Sequence, residues 1–385
     1  MKKILFLLWI IAVMSVVTGT SQETYRNVPS DDETLVYPGG DFYPVKEYNQ
    51  KWKGKKPKNI VLLIGDGMGV SHVYSGITAN GGKLFLDNFK HVGFSKTSSS
   101  SHYITDSAAG GTALSTGVKT YNGAIGVGPD KQPVKTILEE AIEKGLAGGL
   151  VSTSAITHAT PASFIAHQAA RSSYEAIAAD FLLTDIDVFI GGGYKHFTER
   201  QDGRNLAKEL QDKGYQVLQN IEDIAQVKSG KLAGLTAPEH NGRMEERGKM
   251  LPLATKTALN ILSQNKKGFF MMIEGSQIDW AGHANNTSYT VEDMLDFDKT
   301  IGEVLEFAAK DGQTLVIVTA DHETGGIAIT GGDFKTGMVK GTFTSKDHTA
   351  VMVPVFAWGP GAEHFMGIME NTDLHKKMKQ LLLTK

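Results

Sequence analysis

The sequence predicts an α/β fold in which a doubly wound, mostly parallel central sheet carries helices on both faces. Three observations lead there. Short apolar runs alternate with segments of helical periodicity along most of the 385 residues, and such alternation builds βαβ units. The runs NIVLLIGDG, GFFMMIEGS and TLVIVTADHE are apolar throughout, not at every second residue, as strands buried on both faces of a parallel sheet are. Each stops at an acid, respectively Asp66, Glu274 and Asp321, and His322 follows the last. Ligands of such sheets lie at the carboxyl ends of the strands. Carboxylates gathered there repel one another unless cations hold them, so a metal site is the expectation.

Taken in order, residues 1–21 have two lysines, an apolar stretch from Ile4 to Val17 and small residues from Gly19 to Ser21. This is the layout of a secretory signal peptide cleaved near Gln22, and the stretch is shorter than the roughly 20 residues a membrane span needs. A periplasmic or secreted protein without a membrane anchor is expected. Residues 22–58 are polar and aromatic, with Pro29, Pro38, Pro44 and Pro57, and end in KWKGKKPK. They read as an extended arm lying on the same subunit or on another. Residues 59–385 read as a single α/β domain. Strands are expected at Asn59 to Ile64, His91 to Ser95, Gly149 to Thr153, Val188 to Ile190, Tyr215 to Leu218, Gly268 to Ile273, Thr314 to Thr319 and Val353 to Trp358. Helices are expected at Val134 to Lys144, Ser172 to Leu183, Leu253 to Gln264 and Met294 to Lys310. The polar stretch from Gln201 to Lys249 breaks the rhythm and reads as a peripheral excursion.

Composition narrows the chemistry. The chain has no cysteine, which excludes a lipid-anchoring cysteine, disulfides and thiolate zinc ligands, so any metal is held by histidine and carboxylate. A net charge of -3 gives no argument for nucleic acid as a partner.

GDGMG after the first strand is not a dinucleotide loop. Its spacing is not GxGxxG, and Asp66 would face phosphate oxygens directly. A strand-end aspartate between glycines suits a metal ligand, although a bare tight turn has the same sequence. Ser107, followed by small helix-compatible residues, sits where a helix N-terminus would stabilise an alkoxide or an anion. An Asp-Ser pair before a helix is also an ordinary cap. No base motif accompanies this serine, so a metal ion is the economical activator. Asp279 and His283 lie four residues apart, on one face if helical. Asp321 and His322 can both ligate only if the chain turns at Gly325 and Gly326. His348 is isolated, and a lone histidine before a strand is more often structural. Among the 12 histidines, His72, His91, His102, His167, His196, His240, His364 and His375 have no liganding partner at a recognisable spacing.

These segments, in one order, resemble the alkaline phosphatase family: GDGMG, TDSAAGGTALSTGVKTYNGAIG, STSAITHATPASFIAHQAARSSY, RQDGRNL, GFFMMIEGSQIDWAGHANN, TLVIVTADHETGG and His348. The resemblance covers essentially the whole chain after the arm. It implies hydrolysis of small phosphate monoesters with two zinc ions and a third, magnesium, site. Asp279, His283 and His348 then correspond to the first zinc site, and Asp321, His322 and Asp66 to the second. Asp66, Thr160 and Glu274 correspond to the magnesium ligands. Ser107 corresponds to the nucleophile, Arg171 to the arginine that clamps the phosphoryl oxygens, and Asp106 to the acid that orients it.

His158 stands where an aspartate is common near the third metal, and Trp280 where a lysine is common. The imidazole favours weaker magnesium binding or replacement of magnesium by zinc. Family members commonly dimerise, so a homodimer embraced by the arm fits the resemblance. A phosphodiesterase of the same superfamily usually carries threonine as nucleophile and lacks this arginine and third-metal set. A sulfatase needs a modification motif absent here. An inactive metal or phosphate scavenger would not need the nucleophile.

Overall fold

The computed structural model describes residues 33–49 and 51–384. The expected signal peptide and the first part of the arm lie outside the described residues.

Ten strands form the central sheet: β1 (Asn59–Gly65), β2 (His91–Lys96), β3 (Ala147–Ala155), β4 (Val188–Gly192), β5 (Gln216–Leu218), β6 (Leu232–Leu235), β7 (Phe269–Gly275), β8 (Thr314–Thr319), β9 (Val353–Trp358) and β10 (Gly367–Glu370). Their spatial order is β10-β2-β9-β8-β1-β7-β3-β4-β6-β5. Every neighbouring pair is parallel except those made by β9, which runs antiparallel to β2 and β8.

The unbroken apolar runs are explained by two cores, one on each face of the sheet. Because side chains alternate across a strand, Val61 and Leu63 of β1 join one core with Met271 and Val316. Ile60, Leu62 and Ile64 join the other with Met272 and Ile317. The helices Met250–Leu262 and Thr287–Asp311 cover the first face, and Ile137–Glu143, Tyr174–Asp180 and Asn371–Leu383 cover the second. The doubly wound architecture expected from the alternation is therefore observed.

The stretch 201–249 corrects the reading of an excursion. It supplies β5 and β6, which extend the sheet at one edge, with short helices at Leu206–Asp212 and Ile221–Ile224. β5 is the strand expected at Tyr215 to Leu218, whereas β6, buried but only four residues long with a glycine inside it, and the partly exposed edge strand β10 are too short to carry the apolar signature of the central ones.

The described part of the arm runs along its own chain. Val36–Tyr37 pairs with the strand Met338–Thr342, Trp52 packs edge-on against Trp358 with ring centroids 4.7 Å apart, and Lys58 N–H donates to Gln313 O. Tyr43 is held most firmly: its hydroxyl donates to the buried Asp298 carboxylate at 2.6 Å, which also accepts from the N–H groups of Phe85 and Leu86. Among the described residues no helix is long and apolar enough to cross a membrane.

Burial pushes the Asp298 carboxyl up to about 7, against the hydrogen bonds that favour its charged form. A folded pKa above the unfolded one means stability that is full below about pH 4 and is lost as pH rises through about 7. Asp298→Asn should flatten the decline in stability between pH 5 and 8, as measured by urea denaturation across that range. An unchanged slope would show that Asp298 does not cause it.

Candidate active site

Five strand ends and one strand start deliver polar groups to the same edge of the sheet. β1 leads into Asp66, β3 into His158 and Thr160, and β8 into Asp321 and His322. β7 carries Glu274 and feeds the helix Gln277–His283 with Asp279. β2 leads through a loop to Ser107. Because β9 is antiparallel, it presents its beginning to this edge, and His348 lies just ahead of it. Close approach requires glycine here: a Cβ on Gly275 would lie 2.7 Å from the Phe297 ring, and one on Gly67 would lie 2.7 Å from Thr324 Oγ1.

Three groups of potential cation ligands result, each with its donor atoms within 4.8 Å of one another. In the first, one helical turn sets Asp279 and His283 together, and the Nε2 atoms of His283 and His348 each lie 3.4 Å from an Asp279 carboxylate oxygen. The second joins Asp66, Asp279 and His322, and Asp321 Oδ2 lies 3.3 Å from His322 Nε2. The third joins Asp66, Glu274 and His158, while Thr160 Oγ1 approaches Asp66 Oδ2 at 3.4 Å. Asp66 and Asp279 each belong to two groups.

The donor set fits cations on two observations. Asp66 Oδ1, Glu274 Oε1, Asp321 Oδ2 and His158 Nδ1 are buried without a hydrogen-bond partner, an arrangement that native interiors avoid unless something else satisfies the atoms. The histidines also leave Nε2 free: Nδ1 of His283 faces Lys346 O at 2.6 Å and Nδ1 of His348 faces Thr105 O at 2.9 Å. Donation to a carbonyl fixes the tautomer that ligates through Nε2.

The electrostatics agree. Burial, then the neighbouring carboxylates, push Asp66 well above the carboxylate range and Asp321 up to about 7; burial also raises Glu274. Asp279 goes well below that range despite burial, because His283 and His348 outweigh it. Burial and the adjacent His348 keep His322 neutral, as a ligand must be.

Ser107 opens the helix Ser107–Thr116, and its Oγ lies 3.1 Å from His322 Nε2. Asp106 is the helix cap and more. One oxygen accepts from Ala109 N–H, and the other from Gly123 N–H and from Arg171 Nη1 at 3.0 Å. Arg171 Nη2 lies 3.3 Å from His158 Nε2. Trp280 packs edge-on to His158 with centroids 5.9 Å apart. All the sequence-selected residues thus meet at one edge.

Two further residues join them. His240 accepts Ala155 N–H at Nδ1 and packs against both His158 and Trp280. Thr324 contacts Asp279 and His322. A histidine in a polar loop and a threonine after His322 have no spacing signal by which sequence reasoning could find them.

The chain belongs to the alkaline phosphatase family, whose profile matches residues 57–341 and 333–384. It is 34% identical to alkaline phosphatase 4 of Bacillus subtilis, over 91% of this chain and 94% of that one. It is 32% identical to alkaline phosphatase of Escherichia coli K12, over 85% and 86% respectively. The alkaline phosphatase of the Antarctic bacterium TAB5 superposes with a TM-score of 0.80 at 43% identity, covering 86% of this chain and 98% of that one. A TAB5 mutant in which aspartate replaces a histidine, solved with Mg bound in its M3 site, matches equally, with a TM-score of 0.80 at 43% identity over 86% of this chain and 99% of that one. The protein is accordingly a phosphoric monoester hydrolase.

Buried carboxylates facing one another destabilise the metal-free fold, and ligands that bind only the folded state stabilise it by about 2.7 kcal/mol at a hundredfold excess over Kd. Chelation should lower the melting temperature by several degrees and zinc should restore it, in differential scanning calorimetry. A melting temperature insensitive to chelator would exclude a structural contribution from bound cations.

Proposed function

We propose that the chain is an exported alkaline phosphatase that hydrolyses phosphate monoesters through a covalent phosphoserine on Ser107. The observation that carries this reading is the position of Ser107 Oγ at a helix N-terminus, in contact with His322 and on the same edge as Arg171. Asp279, His283 and His348 would hold one zinc ion, Asp66, Asp321 and His322 a second, and Asp66, Thr160 and Glu274, with His158 beside them, magnesium or a third zinc. When bound, such ions supply Lewis acidity that lowers the pKa of the serine hydroxyl and of water and neutralises the leaving oxygen.

The chain's own residues then act as follows. Arg171, aimed by Asp106, offers its planar fork to two non-bridging phosphoryl oxygens. His322 Nε2 and Ser107 Oγ lie 3.1 Å apart, so both would face the ion of the second group, with the serine oxygen held at one edge of the site. The Ser107 oxygen bonds to phosphorus as the bond to the leaving alcohol breaks, and the proton given up by the Ser107 hydroxyl ends on that alcohol. Water then attacks phosphorus from the opposite side, Ser107 recovers its proton and inorganic phosphate is released. Two inversions give net retention at phosphorus. The free amides at the start of the Ser107 helix favour negative charge at Oγ in both steps.

His158 and Trp280 tune this plan. Imidazole in place of a carboxylate removes an anion from the third group, which weakens magnesium and favours zinc. The TAB5 mutant with aspartate for histidine and Mg in its M3 site supports that direction. Trp280 adds no positive charge near the phosphate, so product should leave readily.

Ser107→Ala should lower kcat for an aryl phosphate monoester by several orders of magnitude and abolish acid-stable labelling by radioactive phosphate. The native enzyme should hydrolyse the monoester several orders of magnitude faster than the matching diester. A faster diester rate would move the chain to the diesterase branch of the superfamily. His158→Asp should bind magnesium more tightly than the native protein in a calorimetric titration, and equal affinity would remove His158 from the third site.

A further inference from the structure

Thr324 is wholly buried and sits where three parts of the candidate site meet. It belongs to the short strand Glu323–Thr324, which pairs antiparallel with His348–Thr349 so that Thr324 lies opposite His348. Its N–H donates to Gly67 O at 3.1 Å, tying it to the turn after Asp66. Its hydroxyl reaches Asp279 Oδ1 on one side and lies 3.2 Å from His322 Nδ1 on the other.

The directions of these two hydrogen bonds follow from chemistry. A carboxylate only accepts, so the single hydroxyl proton goes to Asp279. The hydroxyl oxygen is then left to accept, and the group facing it must be His322 Nδ1–H. With the proton on Nδ1, Nε2 presents a lone pair toward Ser107, Asp66 and Asp321. His283 and His348 obtain the same tautomer from backbone carbonyls, which can only accept. The His322 case differs because a hydroxyl is able to turn, and Asp279 is what stops it turning.

We propose that Thr324 is a positioning residue whose hydroxyl, donating to Asp279 and accepting from His322, fixes the ligand atoms of both cation groups that share Asp279. The two groups are then coupled through one proton: rotation of the Asp279 carboxylate releases the Thr324 hydroxyl and with it the His322 ring. This proposal rests on the reading that Asp279 and His322 ligate cations.

The test uses zinc-loaded native protein, Thr324→Ser and Thr324→Val, each exposed to graded chelator with retained zinc counted by elemental analysis. Thr324→Val keeps the shape but leaves a buried donor and acceptor unpaired, and should lose zinc at about tenfold lower chelator concentration or less, as loss of an outer partner of a metal ligand typically does. Thr324→Ser keeps the hydroxyl and should stay within about twofold of native. A side chain that serves only packing would reverse this order, since serine loses the methyl and valine does not, and that reversal would overturn the proposal. Equal retention by all three proteins would overturn it too. If the valine methyl disrupts packing at Gly67 and Gly282, Thr324→Ala makes the same comparison with serine without added volume. Native protein that holds no zinc would instead refute the reading of the cation groups on which the proposal stands.

Discussion

Like charges gathered in a dry place constrain everything else in this molecule. Asp66, Glu274, Asp279 and Asp321 are all buried at one edge of a sheet, where Asp66 and Asp321 each feel the charge of Asp279 and Glu274. In a low-dielectric surrounding such a cluster is unfavourable by several kcal/mol per unpaired charge, so the fold tolerates it only with protons or cations in place. The position of the cluster follows from the fold: parallel strands buried on both faces have polar residues only where they end, and the central parallel strands all end at one edge. The same geometry that forces the runs to be apolar forces the acids to meet.

Around that cluster the remaining groups divide the work of orientation. Backbone carbonyls at Lys346 and Thr105 turn two histidines, Ser152 and Ser154 hold one oxygen of Glu274 and leave the other free, and Asp106 serves both the helix bearing Ser107 and the Arg171 fork. Apart from the exposed contact of His283 with Lys346, these contacts are buried or partly buried, so much of the site is preorganised by packing. Such rigidity suits phosphoryl transfer, in which positioning and charge stabilisation do nearly all the work.

How much of this was legible in the chain depended on the range over which each signal acts. Asp66, Glu274 and Asp321 could be picked out because a carboxylate ending an apolar run is anomalous in itself. Asp279 and His283 could be paired because one helical turn is a local spacing. His348 carried no such signal, since its place depends on an antiparallel strand inserted between β2 and β8, a pairing set by topology. His240 and Thr324 were invisible because each acts through a neighbour distant in sequence or through a hydroxyl common in any strand. Arg171 and His158 took their meaning from family resemblance, as nothing in their local sequence says that they meet. β6 and β10 were the strands the fold reading missed, because a run of only four residues, interrupted by glycine in β6 and half-exposed in β10, shows neither periodicity nor continuous apolarity.

The reversed direction of β9 has a consequence for how the protein matures. The candidate ligands run along the chain from Asp66 to His348, and the last of them is placed only when β9 has slotted between β2 and β8. Pairings of such long sequence separation form late, because loop closure must precede the contacts that reward it. A nascent chain therefore presents scattered, weak chelators, and the assembled centre appears only as folding finishes. Metal capture in this design becomes the closing event of assembly, which guards an unfinished chain against seizing ions before it has a shape to keep them.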